Sequence, residues 1–319
     1  MRTGRRAMWW LGGVGLVAAA TLAACGGRGP AWPPSLTSTT TSPTSTSVGG
    51  GSTTTAPTST TAAPTTSTAP TTTTVAEPAD VAALRSLGLR PLAEYTRTPL
   101  VSLGFESVDE FAGWYITPQT SLTHHELWTT TVHGGTHAHH AWVTGANTAN
   151  VEPDGPNHRG YPTIQLSKRP GGCVSPCLVT VWAWADIPLR PGEWFQIATL
   201  TSSASDIWLP AQVVNVGSEG WLHVMHVPSQ GLKQWTYQRT DLPFPTRQWV
   251  RVDILVDYRS TTGAIAAFQD GVLMSAAPLD PTGTNALGVL NQVHAGMYAP
   301  PTVASGVILN DDLTVARVR

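Results

Sequence analysis

Histidine, the side chain best suited to proton transfer near neutral pH, is concentrated in one stretch of this chain. Seven of the ten histidines lie between residues 124 and 158: His124, His125, His133, His137, His139, His140 and His158. Arg159, Tyr161 and Gln165 follow at once. Imidazole and phenol groups can exchange protons, and guanidinium and amide groups can bind a carboxylate. The stretch is therefore the first candidate for a binding or catalytic site.

Alternation along β-strands indicates which of these side chains could share a surface. Tyr161 and Gln165 fall on the same face of their run. In the pairs His139/His140 and His223/His226, the two members lie on opposite faces of their strand. Neighbouring strands could therefore bring one member of each pair beside Tyr161. The predicted groove holds His139 or His140, Tyr161, Gln165, and His223 or His226. The pattern leaves open which face is concave and which histidines meet.

A second candidate surface lies on the run from residue 180 to 186. Val181, Ala183 and Ala185 share one face, which has the character of a core. Trp182 and Trp184 share the other face with polar neighbours. Indole rings stack on the apolar faces of sugars, so this face predicts a platform for carbohydrate. The alternative is that both indoles lie beneath loops, as tryptophans often do.

The elements that must position these residues are β-strands. From residue 100 onward the chain consists of short runs with period two, separated by Gly, Pro, Asn and Asp, and no long helical pattern alternates with them. This predicts an all-β sandwich or barrel over residues 80–319, folded as one domain. Residues 81–87 predict a short helix or a docking arm.

The chain before this domain has the pattern of an exported lipoprotein. A basic start and an apolar run predict a signal peptide over residues 1–24. The sequence L-A-A-C ending at Cys25 resembles the lipobox of bacterial lipoproteins, in which that cysteine is lipidated. Residues 25–79, rich in Thr, Ser and Pro, predict a disordered linker. We therefore expect a domain tethered to the outer face of a bacterial cell membrane, with the lipid as its sole membrane contact.

Two further cysteines, Cys173 and Cys177, lie four residues apart. An oxidising compartment outside the cell favours a disulfide between them, which would clamp a tight turn. Metal-bound thiolates are the alternative, although C-x3-C without a second cysteine pair is a poor zinc pattern.

Several segments, taken in their order along the chain, resemble the concanavalin A-like lectin and glucanase jelly rolls. They are the strand Gln248–Asp257, the hairpin that follows with Asp270-Gly271 at its turn, the strand Val293–Tyr298, and the closing segment Asn310–Val318, which in the family pairs near the first strand. The resemblance implies an all-β, two-sheet antiparallel jelly-roll sandwich with ligands in a concave groove. Lectins, glycoside hydrolases and polysaccharide lyases share this fold, so the fold alone leaves the function open.

The lyase members of the family use Arg, Gln or Asn, His and Tyr to neutralise a uronate carboxylate, remove the proton at C5 and protonate the leaving oxygen. The resemblance implies these catalytic candidates: His139, His140, Arg159, Tyr161, Gln165 and Tyr298. Two lyase motifs depart from the pattern. The R-x-E-L-R strand has only the segment 124–127 as a counterpart, and Q-[IV]-H occurs as Gln292-Val-His294, directly before the G-x-Y strand instead of on a separate strand.

Other chemistries have less support. A retaining hydrolase needs two carboxylates about 5–5.5 Å apart, and the paired-acid strand of the laminarinase-type relatives is missing. The H-x-H-H run could bind Zn or Cu through imidazoles. Glu106, with Asp311 or Asp312, could hold a structural Ca²⁺ where the first and last strands meet, and the alternative is a simple turn. A net charge of −2 without a basic stripe argues against nucleic acid.

Together these features favour a surface-anchored lipoprotein whose β-sandwich binds a polysaccharide, such as a cell-wall or environmental glycan. A lyase that cleaves a uronic-acid polymer by β-elimination is the first alternative, and a non-catalytic adhesion module is the second. We expect a monomer that requires no cofactor, with the structural Ca²⁺ as the open question.

Overall fold

A computed structural model describes residues 77–152, 155–168, 170–204, 208, 211–227, 235–259, 262–279 and 288–319. The predicted signal peptide, Cys25 and all but the last residues of the predicted linker lie outside the described residues. One α-helix, α1, spans Ala79–Ser86, and two short 3-10 segments span Leu92–Glu94 and Val108–Phe111. Within the described part of the chain, neither these helical segments nor any other is long and apolar enough to cross a membrane.

The remaining elements are β-strands. The first ten are β1 Arg97–Leu103, β2 Tyr115–Ile116, β3 Thr123–Trp128, β4 Ala138–Val143, β5 His158–Gly160, β6 Pro162–Gln165, β7 Cys173–Val174, β8 Cys177–Asp186, β9 Trp194–Thr201 and β10 Ala211–Gly217. The others are β11 Leu222–Val227, β12 Tyr237–Gln238, β13 Val250–Asp257, β14 Ala264–Gln269, β15 Val272–Pro278, β16 Val289–Leu290, β17 Gln292–Ala295, β18 Met297–Ala299 and β19 Gly306–Val318.

Two antiparallel sheets form the sandwich, which confirms the predicted fold class. Nine strands make one sheet in the order β12-β15-β14-β13-β8-β19-β4-β3, with β1 also paired to β19. Six strands make the other in the order β11-β10-β9-β17-β6-β2. The closing strand pairs with the first one, with Leu103 opposite Leu313, as the resemblance implied. Asp270 and Gly271 form the β14–β15 turn with positive φ angles of 49° and 85°.

The core lies between the two sheets. On β8, Val181 and Ala183 are fully buried in it, while Trp182 and Trp184 lie partly exposed on the outer face of the nine-stranded sheet, as alternation predicts. A second apolar cluster covers another part of that outer face, where Leu84 of α1 packs over the β13–β15 region. The predicted helix at residues 81–87 is therefore present, and it is docked on the sandwich.

The disulfide prediction is confirmed. Cys173 and Cys177 are joined, with their Cα atoms 6.2 Å apart, and both are fully buried at one end of the sandwich. This spacing is ordinary for a disulfide. The bond closes the turn that leads from β7 into β8.

One strand pair changes direction at a glycine. The β17–β6 ladder continues beyond Gly296 as the separate β18–β5 ladder. Gly296 has a φ of 141°, which side chains with a Cβ rarely adopt. A Cβ at this position would lie 2.5 Å from the carbonyl oxygen of Gly160 and 2.8 Å from the Cβ of Tyr161. The glycine therefore allows the two strands to approach closely at the point where His294 and Tyr298 are presented.

Candidate functional site

The outer face of the six-stranded sheet carries a row of polar side chains. Gln292 is opposite Gln165 in the ladder, and His294 is opposite both Thr163 and Thr199. Residues directly opposite one another share a face. Their neighbours along the strands, such as Val293 and Ile164, point into the core. Alternation therefore directs amide, hydroxyl and imidazole groups away from the core on three adjacent strands.

His294 is the centre of this face. The Tyr161 ring stacks on its imidazole with a centroid separation of 3.8 Å, and the Trp208 ring lies 4.4 Å away. Its Nε2 is 3.2 Å from Oε1 of Gln196, an oxygen that also accepts the hydroxyl hydrogen of Thr199. Because an amide oxygen can only accept, this contact places the imidazole hydrogen on Nε2. Nδ1 then carries a free lone pair, and it has no hydrogen-bond partner among the described residues.

Burial decides the charge state of the two central rings. Removal from water lowers the pKa of His294 well below its usual value of 6.5, and the nearby positive charge of Arg159 lowers it further. The imidazole is therefore neutral at neutral pH. Burial raises the pKa of Tyr161 far above its usual value of 10.0, although Arg159 opposes that shift. Tyr161 thus remains a neutral phenol that packs against His294.

Arg159 and Tyr298 form the more accessible side of the site. Pairing of β18 with β5 sets Tyr298 opposite Arg159, and the guanidinium carbon lies 5.4 Å from the centroid of the tyrosine ring. Asn157 donates its side-chain N–H to the Tyr298 hydroxyl oxygen at 3.0 Å. Both Arg159 and Tyr298 are partly exposed. Within the described residues, Arg159 makes no ion pair with a carboxylate.

We call Arg159, Tyr161, His294 and Tyr298 the His294 cluster. Three of its members were candidates from the sequence. Gln165, a fourth candidate, lies on the same face, where its Oε1 accepts the backbone N–H of Tyr115 at 3.2 Å. His294 itself was not among the candidates. The available signal was the Gln292-Val-His294 alternation directly before the G-x-Y strand, which places both polar side chains on one face.

His139 does not join this cluster. It faces the interior from β4, only 2% exposed, and both ring nitrogens lack a hydrogen-bond partner in the part of the chain that the structure describes. Burial lowers its pKa well below 6.5. A Cβ on Gly296 would lie 3.1 Å from Cε1 of His139, so the ring lies beneath the turn that carries His294 and Tyr298. The sequence predicted that His139 or His140 would share a groove with Tyr161 and Gln165. The structure corrects this prediction for His139, which lies in the interior.

His140 lies on the opposite side of the molecule, on the outer face of the nine-stranded sheet. Its ring stacks on Trp142 at 4.6 Å and lies 4.8 Å from Trp128, and its Nδ1 is 3.4 Å from a Glu126 oxygen. Burial lowers its pKa, and Glu126 partly opposes that shift. The predicted platform residue Trp184 lies on this same face, with only β19 between it and His140, because both residues are opposite Leu309.

The other platform residue, Trp182, is covered by an imidazole. The ring of His133 stacks on its indole with centroids 3.7 Å apart, and Trp249 lies 5.8 Å from the same imidazole. One face of this indole is therefore already occupied. The prediction of a sugar platform at Trp182 and Trp184 stays a prediction.

His223 and His226 lie on β11, at the edge of the six-stranded sheet. His223 is opposite Asn215, which in turn is opposite Gln196, so that it belongs to the same polar face as His294 but lies further across the sheet. His226 is opposite Gln212. The Gln212 amide oxygen accepts the hydroxyl hydrogen of the buried Tyr258, which places this pair toward the interior.

The three carboxylates proposed for calcium bind a loop instead. Glu106 accepts hydrogen bonds from the backbone and hydroxyl of Thr136, which lower its pKa to about 2. Asp311 accepts the backbone N–H groups of His133 and Gly134, and Asp312 lies 2.7 Å from Nδ1 of His133. Among the described residues, no group of three or more His, Cys, Asp or Glu side chains could hold a metal ion.

Comparisons with known proteins do not identify the chemistry of the site. No protein-family model matches the chain, and no curated protein is significantly similar to it. Among solved structures, the chain is similar to an endo-β-1,4-glucuronan lyase from the fungus Trichoderma reesei, with 12% identity and a TM-score of 0.48 over 69% of this chain and 96% of the lyase. It is also similar to alginate lyase vAL-1 from a Chlorella virus, with 11% identity and a TM-score of 0.47 over 69% of this chain and all of that chain. A third similar structure is a protein of unknown function with a galectin-like fold from Bacillus subtilis, with 11% identity and a TM-score of 0.41 over 70% and 98% of the two chains.

Proposed function

We propose that this domain binds an acidic polysaccharide on the outer face of its six-stranded sheet, with a uronate carboxylate paired to Arg159. The observation that carries the proposal is the guanidinium of Arg159, which is held over the Tyr298 ring and makes no ion pair with a carboxylate among the described residues. A partly buried cation without a counter-ion is matched best by an anionic ligand. Guanidinium and carboxylate groups form two parallel hydrogen bonds, which also fix the orientation of the sugar.

The neighbours of Arg159 support a sugar over other anions. The Tyr298 ring is partly exposed, and the Trp194 ring lies 5.4 Å from it. Aromatic rings of this kind pack against the apolar faces of sugars. The amide groups of Gln165 and Gln292 lie further along the same row but are buried, where they bond the Tyr115 N–H and the Ser203 carbonyl oxygen. The accessible part of the surface thus combines a cation with aromatic rings.

The predicted lipid anchor belongs to the same proposal. Lipidation of Cys25, followed by the Thr/Ser/Pro-rich linker, would hold this surface outside the cell and within reach of wall or environmental glycans. A flexible linker of this length has a root-mean-square reach of roughly 40 Å. The binding surface and the anchor are independent, and each can be tested without the other.

A second candidate function is cleavage of the bound polymer by β-elimination. The specific observation that favours it is the partly exposed Tyr298, whose ring centroid lies 5.4 Å from the guanidinium carbon of Arg159 and 6.2 Å from the centroid of the neutral imidazole of His294. Pairing of the carboxylate with Arg159 would make the C5 proton of the uronate more acidic. A base removes that proton, the C4–O bond breaks, and the leaving oxygen takes up a proton, which leaves a C4–C5 double bond. Tyr298 is the group we assign to the proton transfers.

The test compares the full chain with two charge-removing variants on polyglucuronate, alginate and a neutral β-glucan. Arg159→Gln should weaken binding to the acidic polymers by about 10- to 100-fold, because a charge-assisted hydrogen bond is worth about 1.5–3 kcal/mol. Arg190→Gln, which removes an exposed arginine elsewhere, should leave binding unchanged. Equal binding of the neutral glucan, or equal losses in both variants, would overturn the proposal.

The same samples separate binding from catalysis. An absorbance rise in the unsaturated-uronate band during incubation with a bound polymer would establish elimination. Tyr298→Phe should abolish that rise while it weakens binding by less than Arg159→Gln does, because the ring and the guanidinium both remain. A rise that persists in Tyr298→Phe would contradict the role assigned to this tyrosine. Binding without any rise would leave the carbohydrate-binding proposal intact and exclude the elimination.

A further inference from the structure

A cavity of about 430 Å³ opens near the disulfide turn. Its walls come from four parts of the chain: the segment after α1, with Arg90 and Tyr95; the β7–β8 turn, with Ser175 and Pro176; Arg259, which follows β13; and the end of β19. This volume lies within the range of ordinary small-ligand pockets, about 300–1,000 Å³. It shares no lining residue with the His294 cluster, so it constitutes a separate site.

Four arginines line this arginine cavity, and no acidic residue does: Arg90, Arg259, Arg317 and Arg319. Arg259 is neutralised by Asp257, whose carboxylate accepts its guanidinium N–H groups. Within the described residues, the other three arginines make no ion pair. In a protein with a net charge of −2, this concentration of positive charge is a local feature that composition does not explain.

Two side chains indicate that the cavity is built to hold a ligand. Arg317 lines the cavity and is partly exposed there, with its Nε atom buried. Arg90 is held in place at the rim, with its guanidinium carbon 4.4 Å from the centroid of the Tyr95 ring and its backbone N–H donated to the Tyr95 hydroxyl oxygen at 3.0 Å.

We propose that the arginine cavity binds an oxyanion, in the form of a phosphate or sulfate group or a sugar carboxylate. Guanidinium groups present planar pairs of N–H donors that match the oxygen spacing of all three groups. Arg317 supplies guanidinium donors from the wall of the cavity, and the exposed Arg90 supplies them from its rim. The cavity therefore gives the domain a second contact for a charged polymer, independent of the surface at Arg159.

The experiment titrates the full chain with inorganic phosphate, sulfate and glucuronate at low ionic strength, with isothermal titration calorimetry as the readout. At least one of the three anions should bind saturably at a site that is retained in Arg159→Gln, with one such site per chain, and the preferred anion identifies the source. Arg317→Gln should raise the dissociation constant of that anion at least tenfold, and Arg90→Gln should raise it to a smaller extent. Arg190→Gln serves as the matched control and should not change it.

Three outcomes would overturn the proposal. They are the absence of saturable binding for all three anions, an equal loss in Arg190→Gln, and a loss in Arg159→Gln as large as that in Arg317→Gln, which would assign the anion to the His294 cluster. If Arg317→Gln proves to be unfolded by tryptophan fluorescence, the exposed rim variant Arg90→Gln decides the question alone. Because binding of polyglucuronate through Arg159 is measured separately, failure of either proposal leaves the other testable.

Discussion

The turn at Gly296 supports a quantitative prediction, because its substitution by alanine meets two obstacles at once. The first is the backbone: a φ of 141° is nearly restricted to glycine, and holding another residue there costs about 1–3 kcal/mol. The second is space: the new Cβ would lie 2.5 Å from the Gly160 carbonyl oxygen and 2.8 Å from the Tyr161 Cβ. Forcing an extra carbon into packed surroundings costs about 1–3 kcal/mol more.

Gly296→Ala should therefore lower the free energy of unfolding by about 2–6 kcal/mol, the sum of the two costs. Gly88→Ala is the matched control, since Gly88 also has a positive φ, 72°, but a Cβ there would meet nothing within 4 Å. That variant has only the backbone cost, about 1–2 kcal/mol. The comparison thus separates the combined backbone and crowding cost at the β17–β18 turn from the smaller cost of an alanine in the left-handed helical region.

The assay is equilibrium urea unfolding of the full chain, followed by tryptophan fluorescence, for the wild type and both variants. Binding of polyglucuronate by folded Gly296→Ala should also weaken, because the clash displaces the backbone that presents His294 and Tyr298. If Gly296→Ala were no less stable than Gly88→Ala, the close approach of β18 and β5 would be wrong. The placement of Tyr298 beside Arg159 would then be wrong with it.

Three further predictions concern stability and location. Because burial lowers the pKa of His139 in the folded chain, the unfolded chain binds a proton at this residue at a higher pH than the folded chain does. The stability that comes from the neutral His139 is therefore complete above pH 6.5, and the free energy of unfolding falls below that pH by up to about 1.4 kcal/mol per pH unit. Urea midpoints at pH 7.5 and 5.5 should therefore differ less in His139→Leu than in the wild type, and an unchanged difference would contradict the buried neutral imidazole. Replacing Cys173 and Cys177 together by alanine should lower the free energy of unfolding by about 2 kcal/mol, because the bond restricts the unfolded chain over only a short loop. A change within measurement error would show that the disulfide does not stabilise the fold. Cys25→Ser should move the protein from the membrane fraction to the soluble fraction, and retention in the membrane would refute the lipid anchor.

Local sequence signals determined much of the fold. Alternation on β8 correctly separated the buried face of Val181 and Ala183 from the face of Trp182 and Trp184, because side-chain direction in a strand depends only on position. The disulfide followed from four-residue spacing together with the predicted export to an oxidising compartment, and the Asp270-Gly271 turn from local backbone preference. Each of these features is decided by residues near one another in the chain.

Tertiary structure decided which polar residues meet. Alternation alone could not show that His139 faces the core while His294 faces outward, because that depends on which side of each strand the second sheet covers. The cluster brings Arg159 and Tyr298 together through pairing of β5 with β18, more than a hundred residues later in the chain. The arginine cavity likewise joins Arg90 to Arg317 across most of the domain. Such contacts depend on long-range register, for which the sequence near each residue carries no signal.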